Sequence, residues 1–171
     1  MFKTPVLLGL LVATAGAGLA ADACARERSR AVSRTAHAGS VGASHAGPLS
    51  SGQRQRDWQA DGAGNASASR SRSVSGVNGG SASRDGQAYR NADGSAGRRY
   101  SATATTANGG TVSRQGDATR NADGTLSAER STSATGQHGN SYNGSTTVND
   151  GTIVHTGTCT DASGQTIACR P

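Results

Sequence analysis

Residues 78–107, NGGSASRDGQAYRNADGSAGRRYSATATTA, are followed directly by a second copy of the same unit at 108–137, NGGTVSRQGDATRNADGTLSAERSTSATGQ. The two copies agree at 15 of 30 positions. In each copy, runs of alternating residue type are separated by clusters of Asn, Asp and Gly. This pattern is typical of short strands joined by tight turns. The repeat therefore predicts a β-structure built from hairpins.

The alternation begins before the first copy, between Ala66 and Ser75. Every odd position there is Ser, while the even positions hold Ala, Arg and Val. Because successive side chains of a strand point to opposite faces, we expect one hydroxyl face and one face of small apolar and Arg side chains. A type I turn at 91–94, closed by a left-handed Gly, pairs Asn91 with Ser95 and keeps odd residues opposite odd residues. Strand and turn patterns therefore agree on an antiparallel meander.

Extending this rule along the chain predicts a series of strands. Their ranges are 66–77, 81–90, 95–106, 111–120, 125–136, 141–149, 152–160 and 165–170, with a comparable turn expected at 107–110. We therefore interpret residues 65–171 as an all-β antiparallel meander of short, repeat-built strands that ends in a disulfide hairpin.

The residues before this meander show no sustained period. Residues 1–21 have the features of a secretory signal peptide, with Lys3, an apolar stretch and small residues before Asp22. They predict a signal helix and a secreted, periplasmic or surface-exposed protein. Residues 22–64 are predicted to form a largely disordered arm or linker, with a short helix as an option at 22–36. Trp58 either covers the edge of the following sheet or is an exposed anchor for a glycan or partner.

Large apolar side chains are scarce in this chain. Aromatic residues make up 3% of it and the 25 glycines contribute no side chain to pack. Chains of this composition bury too little apolar surface to offset the entropy of ordering. A sheet faced with Ala, Ser and Thr is therefore expected to be marginal unless another element holds it.

The net charge of +6 comes from arginine, since Lys3 is the chain's single lysine. Positive charge favours anionic partners such as lipopolysaccharide, polysaccharide or DNA. A GC-rich genome would produce the same abundance of Arg without selection for binding, and the arginines are scattered along the repeats rather than clustered. The candidate contacts to an anionic partner are Arg70, Arg72, Arg84, Arg98 and Arg114.

The cysteines predict one disulfide. Cys159 and Cys169 bracket a turn sequence, and a hairpin centred on 163–164 would place them directly opposite each other. We expect this bond in an oxidising compartment, protected by burial of Ile153 and Ile167. Cys24 remains outside it, as a free thiol, an intermolecular bond or a lipidation site.

No pattern in the sequence indicates catalysis. The four histidines lack paired spacing with Cys or carboxylates, so we predict no metal site and no cofactor. The abundant Ser occurs in no nucleophile motif, and no phosphate-binding Gly loop is present. We therefore predict that the protein is not an enzyme.

In turn pattern the repeat resembles secreted bacterial β-repeat proteins such as curlins, through Ser113, Gln115, Gly116 and Asn121. The resemblance implies a secreted protein of stacked hairpins.

The repeat pattern, the positive charge and the lack of a catalytic motif lead to two hypotheses on function. The first is a non-enzymatic structural protein that contacts the cell surface or matrix, and the second is a disordered basic segment that binds anionic polymers. The expected partners are anionic surface polymers or further copies of the chain, with no specific nucleic acid and no membrane span after signal cleavage.

Overall fold

Alternating side chains and frequent turn residues fold this chain into one antiparallel sheet. The computed structural model describes residues 26–169. Eleven strands lie in the sheet in the same order as in the chain. They are β1 (Glu27–Arg34), β2 (Ala38–Ala46), β3 (Ser50–Ala60), β4 (Ala66–Gly76), β5 (Ser81–Arg90), β6 (Ala96–Thr105), β7 (Thr111–Arg120), β8 (Leu126–Thr135), β9 (Ser141–Asn149), β10 (Thr152–Thr160) and β11 (Thr166–Ile167). The predicted all-β antiparallel meander is confirmed, and the described residues contain no helix.

The predicted strand ranges from residue 66 onward match the structure closely. Each of β4 to β10 begins and ends within about one residue of its prediction, the usual uncertainty of strand ends. The last strand is the exception, because 165–170 was predicted and only Thr166–Ile167 pair with β10.

The turns explain why the strand predictions succeeded. At 91–95 the Asn91 N–H donates to the Ser95 carbonyl at 2.8 Å, and Gly94 has a φ of 87°. This is the predicted turn with the predicted pairing. Left-handed glycines recur every 15 residues, at Gly79, Gly94, Gly109, Gly124 and Gly139. The turn expected at 107–110 begins one residue earlier, because its left-handed glycine is Gly109.

Two-residue turns change the parity of the residues on a face. Asp150 and Gly151, with φ of 44° and 84°, form such a turn between β9 and β10. It pairs Thr152 with Asn149, so even residues of β10 share a face with odd residues of β9. The same exchange occurs between β1 and β2 and between β2 and β3. Only the central part of the sheet, β3 to β9, follows a single parity.

The N-terminal prediction differs from the structure. Where a disordered arm with an optional helix at 22–36 was expected, the described part of that range contains β1, β2 and β3. Each of these strands pairs along its whole length with the next, so backbone hydrogen bonding to a neighbour decides their conformation. Pro48 does not interrupt them, because it lies in the turn between β2 and β3, where its missing N–H costs little. The predicted signal peptide at 1–21 and Cys24 lie outside the described residues.

The sheet is a single layer without a hydrophobic core. No hydrophobic residue among 26–169 is buried. Ile153 is 69% exposed and Ile167 is 41% exposed, so the predicted burial of these two side chains is wrong. Because neither face is covered, cross-strand side-chain pairs and backbone hydrogen bonds carry the stability of the described sheet.

Aromatic side chains cover glycines instead of filling a core. Three rings lie over glycines of a neighbouring strand and leave no room there for a Cβ; the pairs are Trp58 with Gly39, Tyr89 with Gly97 and Tyr100 with Gly116. The Tyr142 ring does the same over Gly144 on its own strand and lies beside Gly157 on β10. Such pairs shield the exposed backbone of a glycine in a strand. Trp58 therefore packs within the sheet, on β2, rather than over its edge.

The disulfide between Cys159 and Cys169 is present, with a Cα–Cα distance of 5.3 Å. Its register differs from the prediction, because Cys159 lies opposite Ile167 rather than opposite Cys169. The connecting turn has the same form as the one at 91–95: the Asp161 N–H donates to the Gln165 carbonyl. This moves the hairpin centre one residue towards the N-terminus of the chain, and Cys169 reaches its partner from beyond the end of β11.

Carboxylates stabilise several of these turns. Asp93 Oδ1 accepts hydrogen bonds from the hydroxyl and the N–H of Ser95, at 2.7 and 2.8 Å. The Ser95 hydroxyl, followed by its N–H, lowers the pKa of Asp93 below the ordinary 3.8. Asp123 has the same pair of donors on Thr125, hydroxyl first, and its pKa is lowered likewise. The Ser163 hydroxyl and then the Gln165 N–H lower the pKa of Asp161.

These turns predict a loss of stability in acid. A carboxylate with a lowered folded pKa stabilises the fold above its unfolded pKa, and the contribution disappears as pH falls through the folded value. We expect the melting temperature to be flat from pH 7 to pH 5 and to fall below about pH 4. Asn at 93, 123 and 161 can still accept the hydrogen bonds but does not titrate. The triple variant should therefore show a shallower acid fall, and an unchanged fall would contradict this role of the three turns.

Candidate functional site

The strand register gathers the arginines onto one face of the sheet. Fourteen strand residues among β1 to β8 are Arg, and thirteen of them lie on the face that carries Arg54; we call it the arginine face. They are Arg28, Arg30, Arg34, Arg54, Arg56, Arg70, Arg72, Arg84, Arg90, Arg98, Arg114, Arg120 and Arg130, and all are exposed. The remaining one, Arg99, is on the other face.

The acidic side chains of the strands have the opposite distribution. None of the β1–β11 positions on the arginine face is Asp or Glu. The five strand carboxylates lie on the reverse, which we call the hydroxyl face because Ser and Thr dominate it; they are Glu27, Asp57, Asp85, Asp117 and Glu129. The remaining described aspartates, Asp61, Asp93, Asp123, Asp150 and Asp161, lie in turns. The sheet is therefore strongly positive on one side and weakly negative on the other.

Like charges meet directly at the centre of the arginine face. Arg54 is the cross-strand partner of Arg72, and Arg72 is the partner of Arg84 on the next strand. Beside them, Arg56 lies opposite Arg70. Neighbouring strands are about 4.8 Å apart, and like charges at directly opposite positions destabilise a sheet. An anion bound over this cluster would remove that repulsion.

Neighbouring residues set the direction of some of these side chains. The guanidinium carbon of Arg84 lies 5.7 Å from the centre of the Tyr100 ring, a cation–π distance. Gly86 leaves room for Arg70, whose Nε would be 3.2 Å from a Cβ placed at that glycine. These contacts hold the aliphatic parts of the two arginines near the sheet while the guanidinium donors remain open to solvent.

All five arginines proposed from the sequence, Arg70, Arg72, Arg84, Arg98 and Arg114, lie on this face. Residues scattered along the chain are brought together because each turn from β3 to β8 keeps even residues opposite even residues. Sequence reasoning missed the members on β1 and β3, since those residues were assigned to a disordered arm. It also did not name Arg90, Arg120 and Arg130, although they lie in strands that it predicted. The alternation of Arg54 and Arg56 with Gln and Asp was a signal that could have found two of them.

Other kinds of site find no support in the described part of the chain. Residues 26–169 contain no group of three or more His, Cys, Asp or Glu side chains placed to hold a metal ion. In the same residues no helix is long and apolar enough to cross a membrane. The arginine face is thus the most distinctive chemical feature of the described sheet.

No protein-family model, curated protein or solved structure matches this chain.

Proposed function

We propose that this is a non-enzymatic secreted or periplasmic structural protein whose arginine face binds anionic polymers of the cell surface or matrix. The observation that carries the proposal is the placement of thirteen exposed arginines, without a carboxylate, on one side of a single-layer sheet. A potential of one sign over a broad face attracts an extended anion more strongly than isolated charges do.

The shape of the face favours a polymer over a small anion. Eleven strands span roughly 50 Å at the usual strand spacing. Seven of these strands, β1 and β3 to β8, carry the thirteen guanidinium groups. The pocket that Arg28, Arg30, Arg54, Arg70 and Arg72 line together is open to solvent rather than enclosed. Repeating phosphate, sulfate or carboxylate groups along one chain can contact many of them at once, and each contact releases counterions.

The disulfide is compatible with the proposed compartment. Disulfides persist in secreted and periplasmic proteins and are rare where thiols are kept reduced. Anionic polysaccharides and lipopolysaccharide are polymers of that compartment, and the ordered face replaces the disordered basic segment as the means of binding them.

The salt dependence of binding tests this proposal. We expect the affinity for fluorescently labelled dextran sulfate to fall by at least about 100-fold between 50 and 200 mM salt, since several ion contacts are lost together. Trp58, the only tryptophan of the chain, lies on the arginine face and should change its fluorescence on binding. Uncharged dextran is the matched control and should not bind this face. Equal affinity for the two dextrans, or an affinity insensitive to salt, would refute the proposal.

A further inference from the structure

The hydroxyl face contains a row of polar side chains that has no part in the arginine face. Asp57, Ser69, Gln87, Arg99 and Asp117 are successive cross-strand partners on β3 to β7. The row therefore runs straight across the strands for roughly 19 Å, four strand spacings. It offers hydrogen-bond acceptors at both ends and a guanidinium with an amide between them.

An aromatic ring lies beside this row. Tyr89 is on β5, next to Gln87 on the same face, and its ring covers Gly97 on β6. The side chain is 44% exposed, so part of the ring surface faces solvent. Because Gly97 has no side chain, the ring lies low across the neighbouring strand and forms an apolar platform among polar groups.

Hydrogen bonds hold the polar groups in place. Arg99 donates through Nε and Nη2 to Oε1 of Gln87, at 2.9 and 2.6 Å. Asp57 Oδ1 accepts from Gln55 Nε2 at 2.8 Å, and its Oδ2 accepts from the Ser69 hydroxyl at 3.4 Å. Side chains restrained in this way lose less conformational entropy when a ligand binds.

Together these residues line a shallow trough of about 660 Å³ that also includes Gln59 and Thr119. Its volume is in the range of small-molecule sites, and it is partly open to solvent. Because the row of polar side chains crosses five strands, the trough suits a chain-like ligand whose units repeat across the strands.

We propose that this trough binds a neutral pyranose oligosaccharide lying across the strands, with one sugar ring stacked on Tyr89. The apolar C–H face of a pyranose packs on an exposed aromatic ring. Its hydroxyls can donate to the carboxylates of Asp57 and Asp117 and accept from the Arg99 guanidinium. A pyranose unit is about as long as the distance between neighbouring strands, so each unit meets a new member of the row.

The charges select against other ring-containing ligands. Asp57, Asp117 and the next member of the row, Glu129, are acidic, while Arg99 is the only arginine on this face of the strands. Carboxylates repel phosphate and sulfate, so nucleotides and acidic sugars are disfavoured. The site is on the opposite side of the sheet from the arginine face and goes beyond the proposed polymer binding.

Calorimetric titration of the full chain, with its disulfide formed, tests the proposal with cellohexaose and chitohexaose as probes. We expect at least one hexasaccharide to bind, and Tyr89→Ala to weaken that binding by about tenfold or more, as for the loss of a central aromatic contact. Tyr100→Ala is the matched control, because it also uncovers a glycine but on the arginine face. It should leave hexasaccharide binding unchanged.

A second variant distinguishes a loss of binding from a loss of folding. Asp117→Ala removes a polar contact without uncovering a glycine and should weaken binding several-fold, with circular dichroism unchanged. Dextran sulfate should not compete with the hexasaccharide, which separates this site from the arginine face. Binding of neither probe at millimolar concentration, or equal effects of Tyr89→Ala and Tyr100→Ala, would overturn the proposal.

Discussion

Replacing Arg54, Arg72, Arg84 and Arg114 by Gln is expected to reduce the affinity for dextran sulfate by about 100-fold or more at low salt. These four residues lie along one line across the arginine face, from β3 to β7. Each lost ion contact should also reduce the slope of log affinity against log salt by about 1. Titration of the wild type and the variant at several salt concentrations measures both effects.

The same variant is expected to be at least as stable as the wild type without ligand. Arg54, Arg72 and Arg84 are directly opposed like charges, and their removal relieves repulsion within the sheet. Dextran sulfate should raise the melting temperature of the wild type, because it binds the folded sheet, and should barely change that of the variant. Better stability with poorer binding would separate a binding role from a structural one.

Single substitutions provide the control. Arg72→Gln and Arg99→Gln remove the same charge from opposite faces of the sheet. We expect the first to weaken dextran sulfate binding several-fold and the second to leave it nearly unchanged. Equal losses would mean that net charge, rather than the arginine face, governs the interaction.

Removal of the disulfide is the second change with a large expected effect. Cys159 and Cys169 are ten residues apart, and a crosslink of this length stabilises a fold by about 2–3 kcal/mol. The Cys159→Ser/Cys169→Ser variant should lose about that much in its free energy of unfolding by denaturant. For a sheet without buried hydrophobic residues, this is a large share of the total stability.

Two probes show how far the effect extends. Hydrogen exchange should show faster opening of β10 and β11, while Trp58 fluorescence reports on β3 at the other side of the sheet. If the sheet unfolds cooperatively, the loss of the disulfide also lowers the denaturant concentration at which Trp58 fluorescence changes. If it does not, only the exchange of β10 and β11 becomes faster. Cys24→Ser is the control and should change neither. A peptide map of the wild type with Cys24 linked to Cys159 or Cys169 as the main species would contradict this pairing.

The two halves of the chain were predictable to different degrees, for a physical reason. From Ala66 onward, hydroxyl residues alternate with other types and each turn carries a Gly where positive φ is needed, so local sequence indicates both strand and register. The turns at 35–38 and 47–50 carry no left-handed Gly, and the Ala, Arg and Gly content of residues 26–60 also suits helix or linker. Their strands form because β4 offers an edge on which β3, then β2 and β1, can pair.

The disulfide, too, was predictable only in part. Two cysteines flanking a turn sequence were enough to identify the bond. Their register required the form of the turn, because Asp161 closes on Gln165 and so shifts the hairpin centre by one residue.

By itself, the sequence determined the β class, the positions of the central strands and the four-residue turns, because alternation and left-handed glycine act over a few neighbouring residues. Only the tertiary structure decided which side chains of β1, β2 and β10 share a face with those of the central strands. That outcome depends on the length of every intervening turn, since a change of one residue moves a whole strand's side chains to the other face. The separation of thirteen arginines from five carboxylates is therefore a property of the assembled sheet.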